Sequence, residues 1–558
     1  MLSRFGKLVA VLVGVAIVFA GLVGLGIYFA PGPSPPTYFT LPANLTSEGP
    51  GQARAITPGF LGVNLRADYA LPGSQGPAVA AAGIQLVRWP GGALADRLDP
   101  LADNDAGLIY GGGEGLPYPP ASTAAQFVRW CGSVSCRAII SLPGEIDNPA
   151  YAAEEVNYFL QTLSFRPAYW EIGNEPAVWT HFGVAWTDWQ TNQTATCDPT
   201  EYASVVSAYI AAIRGVDPTT PFIGLPGVGT GAYLEPDWIS ATVAVNGPNL
   251  SAVAIHAYPS GSDLGNGSLE GFFSSLNGPG GLPARVSQDS QAILSACPTC
   301  RISLLVDEMG VASSTALGAV AGFPWIPFES AEVVQALDLN VSGAAFWVSQ
   351  GTYPGSWLTS SGSTQEVYSL FSTLLNPLPS TLEPISVESV VRGVYATSLG
   401  PTSSSVGLVI VVDANATLGI SVNLLPIVSL ASPGEVWTWS NTTGTPSAGP
   451  WGSGQPTTWT LPPDSLLVWR GAGLGAGVSA PSVHRLAGAA LAQGGHPLPV
   501  SNPGIGARVE SRASALRSPP ARKVGFWSEW VGGPILTPGN FSTSTRELKG
   551  HIGDDPVA

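Results

Sequence analysis

Eight short, almost uninterrupted apolar runs recur between Phe60 and Val348, and they limit the possible folds more than any other feature of this chain. They are FLGVNL from Phe60, IQLVRW from Ile84, RAIISL from Arg137, AYWEIG from Ala168, PFIGL from Pro221, AVAIH from Ala252, ISLLV from Ile302 and GAAFWV from Gly343. A strand that is apolar on both faces needs cover on both, which a parallel sheet flanked by helices supplies. Amphipathic stretches such as AAEEVNYFLQTL (152–163), EYASVVSAYIAAIR (201–214) and SAEVVQALDL (330–339) lie between the runs. Eight strand-helix units predict an α/β chain with a (β/α)8 TIM barrel over residues 56–377. A doubly wound open sheet has the same local pattern, because periodicity does not close a barrel.

The flanks differ in kind. After Pro377, runs such as SVESVVRGVYATS, VGLVIVVDA and EVWTWSN alternate between Gly, Pro, Ser and Asn, which predicts an all-β sandwich domain over 378–470. Within the linker 31–55, YFTLPANLTSEG (38–49) is able to add a strand to it. Residues 471–558 are rich in Gly, Ala, Pro and Ser without hydrophobic period, and they are net basic whereas the rest is acidic. That composition reads as a disordered or atypical tail.

Residues 1–30 carry Arg4 and Lys7 ahead of an uncharged stretch, 8–30, long enough to cross a bilayer as one transmembrane helix. A cleaved signal peptide is the alternative, which would leave the protein secreted. The run exceeds a usual signal core, and Pro31 follows where a cleavage site wants small residues. The expectation is an uncleaved signal anchor at the cell membrane with the basic end inside and the rest outside, PGPSPP (31–36) acting as a stiff spacer. Asn-x-Ser/Thr triplets at Asn44, Asn192, Asn249, Asn266, Asn340, Asn415, Asn441 and Asn540 fit an extracellular glycoprotein. The spacings Cys131-x4-Cys136 and Cys297-x2-Cys300 read there as local disulfides, with Cys197 left over. A four-cysteine zinc site would need the two pairs to meet in space. A net charge of −16 with only 22 Lys and Arg in 558 residues argues against nucleic acid as a partner.

In a barrel the C-terminal strand ends carry the chemistry. The fourth run closes in Asn174-Glu175 and the seventh in Asp307-Glu308, so two carboxylates face each other across the mouth. Such a pair flanking a sugar protonates the glycosidic oxygen with one member and attacks the anomeric carbon with the other. Neighbours on a strand face opposite sides, so only one of Asp307 and Glu308 is expected to point inward. Glu171 shares parity with Glu175 one layer deeper and is expected to partner a basic group. Glu145 is expected on a loop near the cleft. Trp179, Trp186 and Trp189, beside His181, form either a sugar subsite or the packing of a long loop.

EIGNEP on the fourth strand, followed by a seventh-strand Glu, resembles clan A of the retaining glycoside hydrolases over about residues 56–470. The resemblance implies Glu175 as acid/base, Glu308 as nucleophile and Asn174 on the sugar 2-hydroxyl. LVRWPGG is similar to the clan's second-strand Arg motif and would place Arg88 beside Glu308, keeping it ionised. IHAYP supplies His256 and Tyr258 near the nucleophile, and Trp347 matches the aromatic floor of the sugar site. The implied protein is a glycosidase of external poly- or oligosaccharides that needs no cofactor or metal. The pairing of VRWPGG and EIGNEP looks most like heparanase-like β-glucuronidases and their arabinofuranosidase and β-xylosidase relatives, although DEMG departs from the Glu-Thr common in the heparanase branch. The alternative in another class is a carbohydrate-binding protein on an inactive barrel.

Overall fold

The structure, a computed structural model, describes residues 39–47, 54–67 and most of 71–472; the stretches outside the described residues include 1–38, 102–121, 185–193, 259–275, 311–324, 360–380 and 473–558. Two strands, β1 (Phe39–Ser47) and β2 (Arg54–Ala55), come first. The eight apolar runs follow as β3 (Leu61–Asn64), β4 (Leu86–Trp89), β5 (Arg137–Leu142), β6 (Tyr169–Ile172), β7 (Phe222–Pro226), β8 (Ala252–Ala257), β9 (Ser303–Met309) and β10 (Ala344–Phe346). All are parallel, and β10 pairs with both β9 and β3, so the sheet closes into an eight-stranded barrel. That closure sets aside the open sheet.

Helices cover the outside: α1 (Gln75–Ala81), α2 (Ala124–Val134), α3 (Pro149–Asn157), α4 (Pro199–Arg214), α5 (Glu235–Asn246), α6 (Leu282–Ala296) and α7 (Trp325–Asp338). Local chemistry decides where they start. Thr123 and Gln126 form a reciprocal capping box at α2. Asp198 and Glu201 do the same at α4, with Pro199 at the first helical position, so α4 begins ahead of the apolar period seen in the sequence. Trp89, Trp170, Phe127 and Phe159 fill the layer between strands and helices, with Trp89 stacked on Phe127 at 5.1 Å.

Inside the barrel, alternation stacks two layers. Leu86, Ile139, Ile223, Ala252, Ala254 and Leu305 form a small apolar cluster. Two residues further along three of these strands the inward positions turn polar, as Arg88, Ser141 and Asp307, joined by Glu171 from β6. The apolar layer supports the strands, and the polar layer above it is the floor of the mouth.

Beyond the barrel lie a two-stranded pair, β11 (Gln350–Gly351) and β12 (Leu358–Thr359), and then β13 (Thr381–Ser389), β14 (Val394–Thr402), β15 (Ser405–Val412), β16 (Leu418–Asn423), β17 (Gly434–Ser440), β18 (Ser447–Trp451), β19 (Thr458–Leu461) and β20 (Ser465–Ala472). They run β18-β17-β20-β15-β14-β13-β1-β16-β19, with β2 also on β13. Strand β13 serves two sheets: Leu382–Pro384 pair with β14, and Ile385–Ser389 pair with β1. The early segment 38–49 therefore contributes a strand, β1, held between β13 and β16. Helix α7 rests against β14, β15 and β20.

Disulfides join Cys131 to Cys136 and Cys297 to Cys300, which leaves Cys197 as a buried free thiol and removes the zinc reading. Among the described residues no helix is long and apolar enough to cross a membrane. The expected anchor 1–30 and all but the first two residues of the tail 471–558 lie outside the described residues; Gly471 and Ala472 belong to β20.

Candidate active site

Arg88 is the centre of the polar layer. It is fully buried, and its three nitrogens reach residues of β3, β6 and β9 and of the turn after β6. Its Nε donates to Glu171 Oε2 at 2.6 Å, Nη1 to Glu308 Oε1 at 2.5 Å and to Asn64 Oδ1 at 3.1 Å, and Nη2 to Asn174 Oδ1 at 2.8 Å. A guanidinium suits this place because its planar fork is always charged and reaches several acceptors at once. Glu171 also accepts from Ser141 Oγ, so it is the partner of a basic group.

Asp307 and Glu308 depart from simple alternation. The β8–β9 register advances from Ile255 opposite Val306 to His256 opposite Glu308, which leaves Asp307 as the extra residue of a bulge. Both side chains are fully buried on the Arg88 side, with Asp307 Oδ2 3.5 Å from Arg88 Nε. The expectation that only one of the two points inward is therefore corrected. Asp307 follows the parity of Leu305, and the bulge turns Glu308 to the same side one step later. Asn64 Nδ2 donates to the Asp307 carbonyl at 2.7 Å, which fixes the bulge from the first barrel strand.

Glu308 also accepts from the Tyr258 hydroxyl through Oε2 at 2.5 Å. Across the mouth, Glu175 stands on the turn after β6 with φ of +44°, in the left-handed region that a residue with a Cβ adopts at a cost. Its N–H donates to the Pro226 carbonyl at 3.1 Å, and its own carbonyl accepts from Val178 N at 2.9 Å. His256 lies between the two acids, Nδ1 being 2.8 Å from Glu175 Oε1 and 3.4 Å from Glu308 Oε2. One oxygen from each acid and a ring nitrogen of His256 all lie within 4.8 Å of one another.

Burial raises the Glu175 pKa to about 7 against the opposing pull of Arg88. Burial also raises Glu308, while His256, Arg88 and the Tyr258 hydroxyl oppose the rise. Burial holds His256 down at about 4, so its ring is neutral near pH 7. A neutral imidazole can donate to an ionised Glu175 or accept from a protonated one, so the contact survives both states. Glu175, His256 and Glu308 are also a donor set that a transition metal accepts. The Arg88 guanidinium and the Tyr258 hydroxyl already engage both oxygens of Glu308, and a cation would have to displace them.

Trp347 is fully buried at the end of β10, with Tyr258 packed against it and the Arg66 guanidinium 5.8 Å from its ring centroid. Asn174 spends Oδ1 on Arg88, while its buried Nδ2 has no hydrogen-bond partner among the described residues and is available to a ligand oxygen. Arg88, Asn174, Glu175, His256, Tyr258, Glu308 and Trp347 thus gather at one end of the barrel.

The loops behind the site divide differently. Glu145 is buried and its Oε1 accepts from the N–H groups of Thr180 and His181, so it clamps the loop after Glu175. Trp179 packs that loop: its ring stacks on Phe182 and lies so close to Gly144 and Gly173 that a Cβ on Gly173 would sit 2.5 Å from it. Trp186 and Trp189 lie outside the described residues. Two residues of the site carry no sequence signal. Asn64 hides inside an apolar run. Asp96 sits in a short 3-10 turn (Gly92–Asp96) and accepts four N–H groups: Gly144 N at 2.8 Å, Glu145 N and Asn174 N at 3.0 Å, and Trp179 Nε1 at 3.1 Å.

No protein-family model and no curated protein matches the chain. Solved structures share its fold. The family 51 α-L-arabinofuranosidase AbfB from Bifidobacterium longum superposes with a TM-score of 0.60 at 15% identity, over 78% of this chain and 100% of that one. The GH51 arabinofuranosidase from Xanthomonas axonopodis pv. citri gives 0.56 at 14% identity, over 77% and 100%. The GH family 44 endoglucanase Cel44A from Clostridium thermocellum gives 0.52 at 13% identity, over 78% and 100%.

Proposed function

We propose that this chain is a retaining glycoside hydrolase of clan A, with Glu175 as acid/base and Glu308 as nucleophile. The observation that carries this reading is the carboxylate pair itself, with oxygens within 4.8 Å of each other at the mouth of a closed barrel. Retaining enzymes hold their two carboxyl groups about 5 to 5.5 Å apart, whereas inverting enzymes need roughly 6.5 to 9.5 Å to admit a water. In the first step a Glu308 oxygen bonds to the anomeric carbon as the glycosidic bond breaks, and Glu175 gives its proton to the departing oxygen. In the second, Glu175 takes a proton from water, whose oxygen displaces Glu308 and frees the sugar with its configuration kept. Arg88 and Tyr258 stabilise the Glu308 carboxylate for attack, and the Asn174 amide nitrogen, unpartnered among the described residues, is placed to donate to a sugar hydroxyl. The chain's own groups complete the proton bookkeeping without a cofactor.

The sugar is an external poly- or oligosaccharide. The similar folds of arabinofuranosidases favour an α-L-arabinofuranoside or β-D-xyloside, and β-glucuronides are the competing class. The anchor at residues 1–30, the basic Arg4 and Lys7 and the two disulfides support a single-pass membrane protein with its barrel outside. The barrel and the sheets around β13 support a catalytic barrel carrying a β-sandwich.

The test uses the full chain on a panel of aryl glycosides. Glu308→Ala is expected to abolish turnover and to regain it with azide, giving a glycosyl azide of inverted configuration; Glu175→Ala with azide gives the retained one. Undiminished turnover by Glu308→Ala defeats the mechanism. Binding of glycans with no hydrolysis of any would make the protein a carbohydrate-binding barrel instead.

A further inference from the structure

Asp96 lies two strands from Glu175, in the 3-10 turn after β4, and it is buried with 2% of its surface exposed. Its oxygens divide their work. Oδ1 takes the successive N–H groups of Gly144 and Glu145, on the loop after β5. Oδ2 takes the N–H of Asn174 and the indole N–H of Trp179, on the loop after β6. Trp179 Nε1 also donates to the Asn174 carbonyl at 2.7 Å, so the peptide on each side of Asn174 is held within one small network. Every partner is a donor, the pattern a carboxylate satisfies and an amide does not.

The next residue along is Glu175, in its left-handed conformation, with Gly173 before Asn174 also at positive φ, +78°. Glycine takes that region freely, but Glu175 holds it at a cost and stays there only where the surroundings over-determine it. Beyond Glu175, the Pro226 carbonyl holds its N–H. On the near side the only side chain among the described residues that bonds the Asn174 N–H is Asp96.

We propose that Asp96 is the positioning residue of the acid/base, holding the Asn174-Glu175 turn so that the Glu175 carboxyl reaches both His256 and the departing glycosidic oxygen. It touches neither sugar nor reacting atoms and acts through the backbone of Asn174. The proposal rests on Glu175 being the acid/base. It assigns Asp96 chiefly to one half of the reaction: proton delivery depends on it directly, whereas Glu308 is anchored from Arg88 and Tyr258 and feels Asp96 only at second hand, through the Asn174–Arg88 bond.

That asymmetry makes the test. Glycosides with strongly acidic phenols as leaving groups need no proton, and those with poor leaving groups do. In the full-length protein, Asp96→Asn is expected to lower kcat/KM on poor leaving groups on the order of 10²-fold, the loss typical of a catalytic group displaced by about 1 Å, and on activated ones only a few-fold. Active sites are counted by labelling with the 2-deoxy-2-fluoro glycoside of the sugar that the aryl panel selects, so that misfolded protein is not scored as slow. Trp179→Phe removes the indole N–H together with part of the ring that packs on Phe182, and is expected to steepen the leaving-group dependence less, in the same direction, which keeps the proposal testable if Asp96→Asn does not fold. Equal losses per labelled site on all leaving groups, or no loss, overturn it. Glu175→Gln separates the two readings: if that variant shows no leaving-group dependence the acid/base assignment fails, and if it does while neither Asp96→Asn nor Trp179→Phe follows, Asp96 alone is reassigned.

Discussion

Glu175 and Glu308 are the same functional group in nearly the same place, and burial alone would treat them alike. Their hydrogen bonds separate them. Glu308 receives a guanidinium on one oxygen and a phenol on the other, each stabilising its anion, whereas among the described residues Glu175 has only the neutral His256 on Oε1. The member with fewer donors keeps its proton to higher pH, the assignment an acid needs. With Glu175 raised to about 7, the protonated form that the proposed first step requires is present below that pH and lost above it. Plots of kcat/KM against pH for a substrate with a poor leaving group should therefore fall about tenfold per unit above roughly pH 7. On the acid side activity is expected to fall as Glu308, the proposed nucleophile, takes up a proton, and the two steps belong to the coupled pair. Glu175→Gln should remove the basic limb, and its survival would assign it to another group.

At the scale of elements, the site is made by places where regular geometry is interrupted: the bulge at Asp307, the left-handed turn at Glu175 and the turn after β7. There Gly227, at φ of +65°, lies so near His256 that a Cβ would stand 2.4 Å from the ring. Gly227→Ala must move the imidazole or the turn, and a reduction in kcat on the order of 10²-fold is expected, with a stability loss of about 1 to 2 kcal/mol for the left-handed backbone. Steady-state rates beside a thermal melt check it; unchanged kcat would show that the ring tolerates displacement. The same interruptions explain what could be read from the sequence. Apolar runs revealed the barrel strands because a strand covered on both faces must be apolar throughout. Asn174-Glu175 and Asp307-Glu308 stood out because they end such runs. Strand parity misjudged Asp307, since alternation carries no mark of a bulge set by the register of a neighbouring strand. Asp96 was silent because its partners are backbone N–H groups on two distant loops, and no residue type announces those.

Across the whole molecule the buried acids set how stability responds to pH. Glu329 and Glu332 on α7 are buried and raised well above the ordinary range, Glu332 being bonded to the Gly310 N–H. Burial raises Asp289 to about 8, with Glu235 adding to the rise. A raised carboxyl binds its proton more tightly folded than unfolded, so its contribution is present below the unfolded value near 4.5 and lost as pH climbs through the folded value. Each such group contributes a slope of about 1.4 kcal/mol per pH unit while it titrates. Asp217, lowered by hydrogen bonds from Thr220 and Trp170, works in the opposite sense only at lower pH. Denaturant midpoints should therefore decline between about pH 4.5 and 8, and a rise over that interval would contradict the protonated interior.

The placement of β1 has a consequence in time. Ribosomes release this strand long before its neighbours: Ala43 pairs with Ser389 and Val422, and neither exists until the barrel strands have all been synthesised. A nascent chain must therefore carry β1 with both edges open throughout barrel synthesis, which is the condition under which strands seek foreign partners. Final closure of the molecule is thus a late event, deferred until the C-terminal sheets arrive to claim a segment made near the beginning.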